Sequence, residues 1–137
     1  MNRLFGTVTV LETEGELSLV EVDVSGARLT SLVLESAGSA GYLAVGKPVT
    51  VFFKESEVSL ALPPISGLSI RNRIACVIET VTEGRILSHL MLRCEAGALH
   101  SLISTHALRE LRLSPGQAVE ALIKATEVSL AEGHVRI

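Results

Sequence analysis

The stretch Lys54-Glu55-Ser56-Glu57-Val58-Ser59-Leu60-Ala61 returns as Lys124-Ala125-Thr126-Glu127-Val128-Ser129-Leu130-Ala131, an offset of 70 residues. The same offset, with no gap, aligns Asn2-Arg3 with Asn72-Arg73, Leu17-Ser18 with Leu87-Ser88, Leu29 with Leu99, Ser31-Leu32 with Ser101-Leu102 and Ala37 with Ala107. It also aligns Leu43, Gly46 and Val49 with Leu113, Gly116 and Val119. These make 17 identities in the 61 positions from Met1 to Ala61, and further pairs such as Leu4 with Ile74 are conservative. Self-similarity of this density means that one small module is written twice, which constrains the fold before any element is assigned. The expected organisation is a first module over residues 1–61, a Pro-rich linker over 62–67 and a second module over 68–137. In the linker, Pro63 and Pro64 stiffen the crossing and Gly67 permits a turn. A module of about sixty residues buries a modest share of its surface, so the two are expected to pack on one another or on further copies.

Within each module the hydrophobic period is two. Val20, Val22 and Val24 alternate with Glu21 and Asp23, and Val8 and Val10 with Thr7 and Thr9, a pattern of half-buried strands. Ser25-Gly26 and Glu95-Ala96-Gly97 supply hairpin turns. The helical signal runs from Thr105 to Arg112, with Ala107, Leu108 and Leu111 on one face and Pro115-Gly116 as the stop. Its first-module counterpart, Ser36 to Tyr42, carries two glycines and is expected to be a shorter or frayed turn. Five short strands with a helix after the third read as an all-β chain of two tandem five-stranded OB-like Greek-key barrels. An SH3-like barrel has the same periodicity and stays open as the alternative.

Composition excludes several classes. Of 137 residues, 47% are hydrophobic and 3% aromatic, with a formal charge of −3. The mean hydropathy of +0.45 raises the question of a membrane span, but Val58 to Ile70, the longest run without a charge, is broken by two prolines and falls short of the ~20 apolar residues needed. No secretory signal pattern follows Arg3, so a cytoplasmic location and no membrane partner are expected. Single-stranded nucleic acid is the less favoured ligand, because such barrels stack bases on aromatics in a basic groove. Here Trp is absent and Tyr and Phe number one and three. Cys76 and Cys94 make no C-x-x-C pair and read as thiols. His89, His100, His106 and His134 all fall in the second module without triad partners or metal-ligand spacing, and read as surface histidines. With no Gly-rich phosphate loop, the chain is expected to be no enzyme and to hold no organic cofactor.

What remains is a set of small polar and basic groups at the module edges. Ser69-Ile70-Arg71-Asn72 opens the second module, Ser104-Thr105 starts the helix, and Ile123-Lys124-Ala125-Thr126 lies between the fourth and fifth strands. Hydroxyls, free helix N–H groups and the Arg71 and Lys124 cations are the donors a small doubly charged oxyanion needs to replace its lost water. Each also has a plainer reading: Ser104 as an N-cap worth about 1 kcal/mol, Lys124 as an outward strand charge, and Arg71 in a surface ion pair worth under ~1 kcal/mol.

The tandem arrangement, Ser69-Ile70-Arg71-Asn72 at one edge and Val119 through Val128 at the other, with Leu111-Arg112-Leu113-Ser114-Pro115-Gly116 after the helix, resembles the molbindin (Mop) family, also called the transport-associated OB (TOBE) domain. The resemblance covers the whole chain. It implies binding of molybdate or tungstate in the cytoplasm, either by a free-standing storage and buffering protein, the expectation for this chain, or by the ligand-sensing part of a transporter ATPase or regulator, with the metal bound as the oxyanion and not by side-chain ligands. It further implies a homo-oligomer, a trimer of double modules, with sites at module interfaces. Carried over by position, the oxyanion groups are Ser69, Arg71, Ser104, Lys124 and Ala125, with Ile70 and Asn72 giving backbone or orienting contacts. The first module departs from the pattern: Met1 stands in the place of Arg71, Leu34 in that of Ser104, and Glu55 in that of Ala125 after Lys54. A carboxylate repels a dianion. Residues 1–67 hold 4 basic and 8 acidic side chains against 8 and 7 in residues 68–137. The first module is therefore expected to supply packing surface and Lys54. The competing reading is a structural or regulatory oligomerisation module whose anion sites have decayed.

Overall fold

The computed structural model describes residues 1–35 and 40–135. Ten strands follow in order: β1 (Asn2–Glu14), β2 (Leu17–Val24), β3 (Ala27–Val33), β4 (Pro48–Phe53), β5 (Ser59–Ala61), β6 (Asn72–Glu83), β7 (Leu87–Cys94), β8 (Gly97–Ser104), β9 (Ala118–Ile123) and β10 (Ser129–Glu132). A short helix α1 (Thr105–Glu110) follows β8, and 3-10 turns η1 (Glu55–Glu57) and η2 (Ala125–Glu127) follow β4 and β9. The strand expectation and the helix after β8 hold. The turn expected over 36–42 falls largely on residues outside those described. No helix among the described residues is long and apolar enough to cross a membrane.

The strands form two curled five-stranded antiparallel sheets, ordered β10-β4-β1-β2-β3 and β5-β9-β6-β7-β8. The repeat did not disclose one feature of that order: each module's fifth strand belongs to the other module's sheet. Ser129 pairs with Phe52 and Glu132 with Val49, while Ser59 pairs with Leu122 and Ala61 with Glu120. The exchange follows from η1 and η2, each a single turn that redirects the chain across the interface instead of back along its own sheet.

The two halves otherwise copy one another closely. A register shift interrupts β1 between Val8 and Val10 and β6 between Ile78 and Thr80, again 70 residues apart. Gly46 and Gly116, at φ 89° and 90°, occupy a backbone region closed to most side chains. Their N–H groups donate to the Val8 and Ile78 carbonyls at those bulges. Alternate residues of each strand point inward: Val20, Val22, Val24 and Leu29 in one sheet, Leu90, Leu92, Leu99 and Ile78 in the other, all buried in one continuous core. Val58 and Val128, just past the 3-10 turns, are buried in that core as well, so the exchanged segments are packed and not draped over the surface.

Candidate functional site

The modules meet at two pseudo-equivalent junctions, each clasped by a buried asparagine. Asn72, fully buried, accepts a hydrogen bond from Thr30 N–H at 2.7 Å and donates from Nδ2 to Thr30 O at 2.8 Å. Asn2 does the same to the second sheet, accepting from His100 N–H at 2.8 Å and donating to His100 O at 2.9 Å. An amide side chain offers donor and acceptor side by side, so it serves a strand backbone as a neighbouring strand would. Serines one residue further on complete each clasp: the Ser31 hydroxyl donates to Val128 O and the Ser101 hydroxyl to Val58 O at 2.8 Å.

The junction built on Asn72 gathers most of the expected site. Asn72 pairs with Ile123 in the β6–β9 ladder, so Arg71 and Lys124 are the next residues along it, Ala125 opens η2, and Ser69-Ile70 lead in from the linker. Ser69, Arg71 and Lys124 are exposed, while Ile70 and Ala125 are half-buried. Arg71 donates to Leu68 O at 2.9 Å, and among the described residues no salt bridge engages Arg71 or Lys124. Arg73 contrasts with them. It is committed to Glu120 through two hydrogen bonds of 3.1 and 2.9 Å, so the two cations left for a ligand are those that the motif named.

Two expected residues lie elsewhere. Lys54, the counterpart of Lys124, sits at the head of η1 on the junction built on Asn2. Ser104 caps α1, its hydroxyl accepting from Ala107 N–H at 3.1 Å. No hydrogen bond or ion pair among the described residues joins it to Arg71 or Lys124. Thr105 beside it is buried, bonded to Ser88 at 2.7 Å and Gly84 O at 2.8 Å. The helix spans only six residues; the Thr105 N–H donates to Ile86 O and the Ala107 N–H to the Ser104 hydroxyl.

The junction built on Asn2 differs in chemistry. Glu55 Oε1 lies 3.4 Å from the α-amino group of Met1. His89 and His100, expected at the surface, are half-buried and stacked with centroids 5.0 Å apart, His89 Nε2 standing 2.9 Å from His100 Nδ1. They are diagonal neighbours across β7 and β8, where Met91 pairs with His100 and His89 with Leu102, a spacing that aromatic rings span. Glu127 stands beside Glu57. Burial together with that neighbouring carboxylate raises the Glu127 carboxyl above its usual range, and Lys124 partly offsets the shift. Sequence reasoning missed Thr30, Ser31, Ser101 and His100, because each acts across an interface that no local pattern announces, and it missed the stacking of His89 on His100, which depends on the register of β7 and β8. The identity of Asn2 with Asn72 was the visible trace of the clasps.

Comparison with known proteins bears on this arrangement. The TOBE domain profile matches residues 1–60 and 68–130. The molybdenum transport protein ModE of Azotobacter vinelandii is 27% identical over 132 residues, 95% of this chain and 49% of ModE. The molybdenum-pterin-binding protein MopB of Rhodobacter capsulatus is 34% identical over 110 residues, 72% of this chain and 41% of MopB. The chain thus spans half or less of the length of these relatives. The crystal structure of the cytoplasmic molybdate-binding protein ModG with molybdate bound superposes with a TM-score of 0.89 at 32% identity, covering 96% of this chain and 95% of that one.

Proposed function

Because the chain belongs to the TOBE domain family, we propose that it binds molybdate without catalysing a reaction, at the junction where Arg71 and Lys124 adjoin. The near end-to-end likeness to ModG with molybdate bound carries this reading, and the unpaired cations of that junction support it. Arg71 and Lys124 supply charge, the Ala125 backbone and the Ser69 hydroxyl supply directional donors, and Asn72 holds the β6 edge against β3 while Ile70 shapes the approach. Tungstate, of nearly the same size and charge, is bound as well. The role is storage or buffering in the cytoplasm, in a homotrimer of double modules that brings Ser104 and Lys54 to sites shared between modules.

Titration calorimetry with molybdate, tungstate and sulfate tests this. The two larger anions bind, sulfate binds more weakly, and Arg71→Ala and Lys124→Ala each weaken binding by roughly tenfold or more, since each removes a charge-assisted hydrogen bond. No binding of molybdate, or unchanged binding in both variants, refutes it. The second reading, a structural module with decayed anion sites, rests on the junction around Asn2, where Met1 and Glu55 stand at the positions of Arg71 and Ala125. Under that reading oxyanion leaves the melting temperature unchanged, whereas a ligand that binds only the folded state raises it.

A further inference from the structure

The ligand-type side chains at the Asn2 junction have no counterparts at its twin. Ligand atoms of Glu55, His89 and His100 all lie within 4.8 Å of one another. At the offset of 70 the corresponding residues are Ala125, Leu19 and Thr30, none of which offers a strong metal ligand. Three substitutions scattered over 46 positions of the sequence therefore converge on one spot, and each introduces a ligand atom. We propose that this junction is a binding site for a divalent transition metal ion of the zinc class, with Glu55, His89 and His100 as its protein ligands.

The chemistry of the set points to that class. Two imidazoles and a carboxylate suit Zn2+ and its neighbours in the first transition row, whereas Ca2+ and Mg2+ require oxygen shells. Two nitrogens on one tetrahedral zinc at about 2.0–2.1 Å stand roughly 3.3 Å apart, close to the 2.9 Å that separates His89 Nε2 from His100 Nδ1. In the metal-free pair one ring donates its proton to the other. Binding shifts the donor ring's proton to its own outer nitrogen, so that His89 Nδ1 and His100 Nε2 then carry the two protons, and turns both inner lone pairs to the ion. The two histidines come from adjacent paired strands, so they are held in place by the sheet. Glu55 comes from the other module, packed against β8 through the Ser101–Val58 bond. The third ligand thus exists only when the modules are docked, and a bound ion would tie them together. Water or an anion completes the fourth position. Lys54 beside Glu55 is exposed, and the partner of the carboxylate, the Met1 amino group, is itself solvent-accessible and open to replacement.

The test uses the full chain, stripped with a chelator and titrated calorimetrically with Zn2+, with Co2+ absorption as the reporter of geometry. The variants are His89→Leu, His100→Thr and Glu55→Ala, each installing the residue that the repeat carries at the equivalent position, so the fold is retained. The expected result is one Zn2+ per chain, visible bands of four-coordinate Co2+, and a loss of affinity of at least roughly tenfold in each variant. His106→Ala, at an exposed histidine, retains full affinity. Absence of Zn2+ and Co2+ binding overturns the proposal, as does affinity unchanged in any of the three ligand variants. Because Arg71 and Lys124 play no part here, failure of this site and failure of molybdate binding are read from separate titrations.

Discussion

Replacing Asn72 by alanine removes the clasp between β6 and β3 and leaves the Thr30 N–H and C=O without the partners they hold at 2.7 and 2.8 Å. A buried backbone group left unpaired costs about 1–3 kcal/mol. Thr30 is half-buried, so water regains part of its access and the lower half of that range applies to each group. Two groups, at about 1–2 kcal/mol each, then give a loss of about 2–4 kcal/mol, a large share of the roughly 5–15 kcal/mol that a domain commands. Asn72→Asp is worse, since it keeps an acceptor for the Thr30 N–H but places a second oxygen against the Thr30 carbonyl and buries a charge. Asn2→Ala, at the twin junction with His100, costs a similar amount, and the two losses add if the junctions act independently. Urea unfolding at fixed protein concentration reads the effect as a shift of midpoint at constant slope. A loss below about 0.5 kcal/mol for Asn72→Ala, typical of surface substitutions, would refute the view that the amide clasps hold the modules together.

Fragments 1–67 and 68–137 are each expected to be unfolded or self-associated when produced alone, because each lacks the strand that the other donates. Mixing them should restore native circular dichroism, and two fragments that fold separately as monomers would contradict the exchange. Glu127→Gln should flatten the dependence of stability on pH in the acid range. The carboxyl is raised in the folded state beside Glu57, so the folded chain holds a proton longer than the unfolded one. Stability from this group is therefore full below the ordinary carboxylate value and is lost as pH rises through the raised one, which melting curves from mildly acidic to neutral pH would register. Cys76, buried and pushed up to about 12, carries thiolate at only about one part in ten thousand at pH 8. Half-buried Cys94 should therefore alkylate first, with Cys76 modified only on unfolding, as peptide mapping would show.

Much of this was legible in the chain because it is local or repeated. The strands follow from period-two alternation, as at Val20, Val22 and Val24. Gly46 and Gly116 were legible as a repeated pair, and the structure gives the reason, since their positive φ permits few other residues. The residues of the proposed anion site around Arg71, Asn72 and Lys124 were visible in the sequence, and the ladder that pairs Asn72 with Ile123 brings these stretches together, since residues 51 apart in sequence become neighbours on adjacent strands. The plainer expectation for Ser104, the N-cap, was legible because capping is decided within three residues.

By itself the sequence determined the module, its duplication, the inward face of each strand and the half of the chain that carries the cations. All of these are written in composition and in separations of a few residues or one fixed period. Tertiary structure decided which sheet receives β5 and β10, what Asn2 and Asn72 hold, and that Glu55 meets His89 and His100. Those outcomes depend on how two modules of the same backbone plan but different side chains dock. A short strand such as Ser59–Ala61 has the same backbone donors and acceptors to offer either sheet, so its partner is set by the turn at η1 and by the burial of Val58, not by its own residues.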